Sequence, residues 1–424
     1  MSADFFHFLH SPKTERRTLA VIAVVVLLVQ ILTMRSTVVY GEPYAIAEYM
    51  HKGMGFVYIF PWDLTPSPTC FIPPLYAYFL YALLQAGIGT FGMRIAGLLF
   101  FQISGFFLYY FFKRYTKPSL ALYGYLLYVA YVPLWLLSEK IDPDGLNILL
   151  VTATVFILDQ LREAPSWKRW ITLGLLLGIQ ILTRPDILVG IVIFGVWLYY
   201  NLSDRRAFVK GYAAAIAIAL VMVAPWTIRN YRQFGRFVLV SSNSGYNLFL
   251  GNNPAATGEF QQADETPESK AIDSARAAYF NLHPSGVERD SYLFHVAVDW
   301  ALAHPWEVVK LSVKKFYFHW WLRESAGVYI QAPEWMIAAY NIGSLLLVLL
   351  GMIGLWSIPR EARSLLVALF VYSTAIAMIF FVQSRHRALK VDPYLIMLSV
   401  IGIHRIVSPK RHELHHSRKG ELHA

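Results

Sequence analysis

The chain has 424 residues, of which 56% are hydrophobic and only 15% are charged, and its formal net charge is +10. Soluble domains carry about 25% charged residues, so this composition excludes a soluble globular protein and predicts a chain that lies in a lipid bilayer. The single cysteine excludes an intrachain disulfide and a cysteine-rich metal site.

The positive charge is concentrated in short connectors between apolar segments and in the tail at 410–419. No basic stripe on a soluble fold accompanies it, so nucleic acid is not expected as a partner. Cytoplasmic loops of membrane proteins are rich in Lys and Arg, and anionic headgroups attract the same residues. The charge therefore indicates membrane lipids as partners.

The first apolar segment, residues 19–33, follows a basic stretch with Arg16 and Arg17. It resembles the start of a signal peptide, but no small-residue cleavage site follows it, and Arg35 comes next. We interpret it as an uncleaved first span, which places residues 1–17 in the cytoplasm.

A second apolar segment, residues 73–89, opens with Pro73 and Pro74 and ends in Gly-Ile-Gly. If it crossed the membrane, the basic connectors that follow would alternate onto the wrong sides. That conflict disappears if it lies at the outer interface. The sequence therefore predicts an interfacial helix here, within a first external loop at 39–92.

With that assignment, the predicted fold is an all-α polytopic membrane protein with ten spans. The spans cover residues 19–33, 93–112, 120–137, 146–161, 170–182, 187–202, 212–228, 335–358, 365–381 and 394–407. Several are shorter than the ~20 residues that a straight helix needs. The predicted domains are the N-terminus at 1–17, a transmembrane module at 18–228, an external segment at 229–334, C-terminal transmembrane helices at 335–407 and a basic cytoplasmic tail at 408–424.

Two polar stretches are predicted to face the outside. In the first, Pro43 suits a first helical turn and Gly53 ends one, so residues 43–52 are predicted to form a short amphipathic helix. In the second, Asn, Gly and Pro are so dense at 241–258 that we expect turns and no packed helix. Trp and Val recur at helical spacing over 306–323, which predicts an amphipathic interfacial helix.

Charged residues gather at the predicted outer ends of the spans. Each alone has an ordinary alternative: a solvated loop carboxylate, a helix cap, an interface anchor or a non-specific headgroup contact. Together they fit a phosphorylated lipid substrate, because Arg matches phosphate with a planar fork and a carboxylate can accept a proton. The residues are Glu42, Asp142, Asp144, Arg184, Arg229, Arg385 and Arg387.

Several short motifs stand in the order of one known superfamily. They are EPYAIAEYMHKGMGF at 42–56, PTCFIPPLY at 68–76, GLLLGIQILTRP at 174–185, APWTIRNY at 224–231, GNNP at 251–254, HPW at 304–306 and RHR at 385–387, with Pro393 after them. In these motifs the sequence resembles the GT-C glycosyltransferases. It is most similar to the bacterial branch related to protein O-mannosyltransferases and lipid A aminoarabinose transferases (a family 39-like glycosyltransferase).

The resemblance implies a GT-C-type helix bundle with juxtamembrane helices in the first external loop. It also implies an enzyme of the bacterial inner membrane, with its active site on the extracytoplasmic side. Such an enzyme moves a sugar from a polyprenyl-phosphate donor to a glycan, lipid or protein acceptor. The sequence names neither the sugar nor the acceptor.

The resemblance also maps site residues. The family's catalytic acid corresponds to Glu42, and a second acidic position corresponds to Asp142, or to Asp144. An arginine near the carrier phosphate corresponds to Arg385 or Arg387. Many relatives carry Asp, or Asp-Glu, at the catalytic position, whereas Gly41 precedes a lone Glu42 here.

The predicted reaction is an inverting single displacement that requires no cofactor. Glu42 would accept the proton of an acceptor hydroxyl, and the arginines, with Arg184 and Arg229 among them, would stabilise the departing phosphate. His319 and His386 lack partners at metal-ligand spacing, so no metal site is predicted. Some relatives use a divalent cation, so Asp142 as a metal ligand stays open.

Two other functions stay open. A lipid or sugar transporter predicts charges near the bilayer midplane and broken helices in paired halves, and the sequence shows neither. A non-catalytic scaffold with a GT-C-like bundle would bind the lipid-linked sugar without transferring it.

Overall fold

The computed structural model describes residues 12–59, 65–260, 286–321 and 334–408. In this part of the chain the regular structure is helical, apart from an antiparallel pair of two-residue strands, β1 (Val57–Tyr58) and β2 (Ser67–Pro68). The predicted all-α class is confirmed. The predictions for residues 1–11, for the tail after 408 and for parts of the external segment lie outside the described residues.

The helices are named here in chain order. They are α1 (Pro12–Leu32), α2 (Glu42–His51), α3 (Pro74–Gln85), α4 (Thr90–Lys113), α5 (Pro118–Val129), α6 (Val132–Ser138), α7 (Asp144–Glu163), α8 (Trp167–Thr183), α9 (Ile187–Asn201), α10 (Arg205–Phe234), α11 (Ser244–Gly251), α12 (Gly286–Ala303), α13 (Pro305–Trp320), α14 (Glu334–Ser357), α15 (Arg360–Ile379), α16 (Ser384–Ala388) and α17 (Asp392–Val407).

Among the described residues, five helices are long and apolar enough to cross a membrane: α4, α7, α10, α14 and α15. The pair α5 and α6 passes the same test as a unit but bends by 56°. A single span was predicted there, at residues 120–137. Pro133, at the start of α6, has no amide hydrogen to continue α5, which explains the break. The predicted total of ten spans is not confirmed.

Two of the predicted short helices are confirmed. Helix α2 occupies the segment predicted at 43–52, and α13 occupies the segment predicted at 306–323. Helix α3 has 12 residues, or about 18 Å at 1.5 Å per residue, which is short of the ~30 Å of a bilayer core. Its length agrees with an interfacial helix, and its interfacial placement stays a prediction.

The prediction of turns without a helix at 241–258 was wrong, because α11 lies there. Its first turn is capped from a distant helix. The Asp290 carboxylate accepts a hydrogen bond from the backbone N–H of Tyr246 (2.8 Å). Gly245 packs so closely on α12 that a Cβ would lie 1.9 Å from the carbonyl oxygen of Asp290. Glycine therefore serves packing here, and no local signal shows that.

Helix α10 continues past residue 228, where a span was predicted to end, and stops at Phe234. Gly235 follows in the left-handed region (φ 65°), which glycine adopts readily and which commonly ends helices. Arg229 and Asn230 therefore lie on the helix and not in a loop.

Helix α4 crosses the end of α6 and the start of α7 closely, at Gly97 and Gly145. A Cβ on Gly97 would lie 2.1 Å from the carbonyl oxygen of Ser138, and one on Gly145 would lie 2.6 Å from that of Gly97. Both neighbours are backbone atoms, which cannot rotate away. This crossing fixes the start of α7, where Asp144 lies.

Gly97→Ala is expected to lower the free energy of unfolding by about 1–3 kcal/mol, because the added methyl group overpacks this crossing. Gly92→Ala on the same helix is the matched control. Its Cβ would meet the Ile88 Cγ2 methyl (2.5 Å), which can move. Thermal unfolding of both variants in detergent measures the difference. Equal stabilities would show that the crossing is not tight.

Candidate active site

The first external loop lies directly against the segment that precedes α7. The amide of Gly41 donates to the carbonyl oxygen of Ile141, and the amide of Ile141 donates to that of Val39 (both 3.2 Å). A Cβ on Gly41 would consequently lie 3.3 Å from Asp142 Oδ2. Glu42 follows as the exposed first residue of α2. The two predicted acidic positions, about 100 residues apart in the sequence, therefore lie on adjoining segments.

Two arginines converge on the aspartates at the start of α7. Arg184 follows α8, and its Nη1 donates to Asp144 Oδ1 (3.2 Å). Arg385 Nη1, in α16, donates to Asp142 Oδ2 (3.5 Å) and lies 3.9 Å from Asp144 Oδ2. Asp144 is 0% exposed, whereas the Arg385 side chain is 37% exposed. The ion pairs therefore reach from a buried carboxylate to an accessible guanidinium.

Asp142 titrates unusually for an aspartate. Burial raises its pKa to about 6, and the negative charge of Asp144 acts in the same direction. The guanidinium groups of Arg385 and Arg184 lower the pKa of Asp142, whereas the negative charge of Glu42 raises it. Asp142 therefore changes its protonation state within the physiological range, next to Glu42.

Arg387 lies two residues from Arg385 but has other partners. It is fully buried, and its guanidinium donates to Asp392 Oδ1 (2.7 Å), to the carbonyl oxygen of Trp320 (2.8 Å) and to Ser344 Oγ (2.6 Å). These contacts tie α13, α14 and α17 together. They do not favour the predicted contact with the donor phosphate, because the guanidinium faces protein groups.

Arg229 also faces protein groups. It donates to the carbonyl oxygens of Thr69 (2.8 Å) and Phe56 (3.4 Å), and its guanidinium lies 4.7 Å from the ring centroid of Trp226. It thereby holds the first external loop on α10. The predicted phosphate contact is not favoured here either, and Arg229 supports the site through the loop.

Sequence reasoning missed a second ion pair beside the site. Lys390 Nζ donates to Asp186 Oδ2 (2.5 Å), and the hydroxyl of Tyr372 donates to Asp186 Oδ1 (3.2 Å). Arg385 Nε donates to Gln383 Oε1 (2.8 Å). Asp186 follows Arg184 in the connector after α8, so a cluster of charges was visible there, but its distant partners were not.

Within the described ranges, no group of three or more His, Cys, Asp or Glu side chains could hold a metal ion. Asp142 and Asp144 are instead paired with arginines. The expectation of no required cofactor stays a prediction.

The middle of the chain matches a known family. Residues 72–228 match the model of the dolichyl-phosphate-mannose-protein mannosyltransferases. This range contains Asp142, Asp144 and Arg184, whereas Glu42 and Arg385 lie outside it. No curated protein matches the chain by sequence.

The fold is similar to that of larger membrane enzymes. AglB, the oligosaccharyltransferase of Archaeoglobus fulgidus, solved with an inhibitory peptide and a dolichol-phosphate, superposes with a TM-score of 0.55 and 14% identity over 97% of this chain and 52% of that chain. The same enzyme tethered to an acceptor peptide gives a TM-score of 0.54 and 11% identity over 95% and 51%. The chain therefore has the fold of this oligosaccharyltransferase over about half of that enzyme's length.

A third structure, ArnT from Cupriavidus metallidurans bound to undecaprenyl phosphate, gives a TM-score of 0.42 and 14% identity over 94% of this chain and 79% of that chain. The chain spans about half the length of the archaeal oligosaccharyltransferase. It is an integral membrane protein with several apolar helices that can cross the bilayer.

Proposed function

We propose that this protein is a GT-C glycosyltransferase that moves a sugar from a polyprenyl-phosphate donor to an acceptor on the extracytoplasmic side of the bacterial inner membrane. The observation that carries the proposal is the convergence of Arg184 and Arg385 on Asp142 and Asp144, beside the exposed carboxylate of Glu42. A base and a cationic phosphate site on adjoining segments are what such a transfer needs.

The proposed reaction is a single displacement at the anomeric carbon. The acceptor oxygen attacks that carbon and passes its proton to Glu42, while the bond from the carbon to the phosphate oxygen breaks. The bonding electrons leave with the polyprenyl phosphate. The transition state is oxocarbenium-like, and the product has inverted configuration. Glu42 suits the base because it is exposed at the first turn of α2.

Arg184 and Arg385 are proposed to bind the donor phosphate and to stabilise it as it leaves. A guanidinium has five N–H donors in a planar fork, more than one carboxylate can accept. Arg184 can therefore hold Asp144 and a phosphate oxygen together. Because these cations can neutralise the leaving phosphate, we propose no required cofactor.

The donor class is supported by the family match and by the archaeal enzyme, whose structure contains dolichol-phosphate. That enzyme also binds peptides. The acceptor of this chain stays open among glycans, lipids and proteins, because the chain spans only half of that enzyme's length.

The cellular test is mass spectrometry of surface glycans and glycoproteins in a deletion strain. We expect one sugar modification to be lost, to return with the wild-type gene and to stay absent with Glu42→Gln. An unchanged glycan profile would contradict the proposal. Full restoration by Glu42→Gln would favour a scaffold instead.

Donor binding is expected to tighten as the pH falls from 7 to 5, because Asp142, with a pKa of about 6, becomes neutral and stops competing for Arg385. The donor is a phosphodiester, so its own charge stays constant. The same titration affects stability, because the pKa of Asp142 is above its ordinary value of 3.8. The contribution of Asp142 to the free energy of unfolding is fully present below about pH 4 and is lost as the pH rises through 6.

Titrating a polyprenyl-phosphate sugar against protein in nanodiscs at each pH measures the pH dependence of donor binding. Asp142→Asn is the matched variant, and its donor affinity should change little between pH 5 and 7. An equal pH slope in both proteins would show that Asp142 is not responsible.

A further inference from the structure

His386 lies between Arg385 and Arg387 in α16, and its side chain belongs to neither ion pair. Its ring packs on Phe381, with centroids 5.6 Å apart, and the residue is partly exposed. Its Nδ1, however, is buried and has no hydrogen-bond partner among the described residues. Buried polar atoms are nearly always hydrogen-bonded, so this nitrogen indicates a partner that the described residues do not supply.

The surroundings of His386 favour an anion. Burial, together with the positive charges of Arg184, Lys390 and Arg385, holds the pKa of His386 well below its usual range. His319, from α13, acts in the same direction. The ring is therefore neutral at pH 7 and carries one N–H.

The carboxylates of the site are paired with these cations. Asp144 pairs with Arg184, and Asp186 pairs with Lys390. A negatively charged group beside His386 would be attracted by the cations that now disfavour the imidazolium form. A neutral ring also adds a hydrogen-bond donor without adding another buried positive charge.

We propose that His386 is a ligand of the donor phosphate and donates a hydrogen bond from Nδ1 to a phosphate oxygen beside Arg184 and Arg385. This inference rests on the proposed function, because it takes the lipid-linked phosphate as the ligand. It requires the tautomer with its proton on Nδ1.

The test measures binding of polyprenyl phosphate to the full-length protein in nanodiscs. We expect His386→Leu to weaken binding about 10-fold, which corresponds to one hydrogen bond to a charged group. His386→Asn places an amide N–H where Nδ1 lies and should bind within about threefold of wild type. His386→Gln places its amide near Nε2 and should weaken binding as much as His386→Leu.

Exposed His304 provides the control, since His304→Leu should bind as wild type does. If His386→Leu binds with wild-type affinity, the nitrogen has only a water as its partner and the inference is overturned. If His386→Leu fails to fold, the affinities of His386→Asn and His386→Gln for polyprenyl phosphate decide the question. Equal affinities of these two variants would overturn the inference. Failure of the wild type to bind polyprenyl phosphate would instead overturn the proposed function, and this inference with it.

Discussion

Glu42→Gln is expected to lower sugar transfer by about 10²–10⁴-fold, the usual contribution of a general base. The amide keeps the size and shape of the carboxylate but cannot accept the proton of the acceptor hydroxyl. Donor binding should be unchanged, because the proposed phosphate ligands Arg184 and Arg385 are intact. Transfer from a radiolabelled polyprenyl-phosphate sugar and binding of the same donor separate the two effects.

Glu48→Gln is the matched control for this experiment. Glu48 lies on the same short helix, α2, and is partly exposed, so its substitution makes the same chemical change away from Asp142. It should leave transfer near the wild-type rate. If Glu42→Gln also transfers at that rate, Glu42 is not the base.

Arg387→Gln is expected to lower the free energy of unfolding by about 3–5 kcal/mol, because it leaves Asp392 as an unpaired buried charge. The side chains of Arg387 and Asp392 are 0% and 1% exposed, so water cannot replace the lost partner. The contacts with Trp320 and Ser344 are lost as well. Thermal unfolding in detergent measures the loss.

Arg385→Gln makes the same change two residues away. It should weaken donor binding and leave stability nearly unchanged. Its side chain is 37% exposed, so we expect near-wild-type stability. Donor binding should fall about 10-fold or more, since charged hydrogen bonds to the phosphate are lost. A stable Arg387→Gln variant that has lost donor binding would show that the roles of the two arginines are reversed.

Patterns that depend on neighbouring residues could be predicted from the sequence. Pro43 and Gly53 mark the ends of a helix by local backbone preferences, and α2 begins one residue before Pro43 and ends two residues before Gly53. The apolar segments predicted a helical membrane protein, because in lipid the backbone N–H and C=O groups must form their hydrogen bonds within the protein. The charged residues at the ends of the predicted spans included four predicted site residues that the structure brings together: Asp142, Asp144, Arg184 and Arg385.

Features that depend on distant partners could not be predicted. Arg385 and Arg387 look equivalent in the motif Arg385-His386-Arg387, and only their partners on other helices distinguish them. Helix α11 forms in a glycine- and asparagine-rich segment because Asp290 caps it. Lys390 pairs with Asp186 across 204 residues of sequence, and no local pattern indicates that contact.

The most direct test incubates the purified protein in nanodiscs with a panel of polyprenyl-phosphate sugars and candidate acceptors, and measures both products. We expect polyprenyl phosphate to be released in step with a glycoside of inverted configuration, and both to be lost in Glu42→Gln. A donor that is bound but never cleaved would contradict the account and favour a scaffold. In a parallel assay with the protein in sealed vesicles, a donor that crosses the membrane intact would favour a transporter.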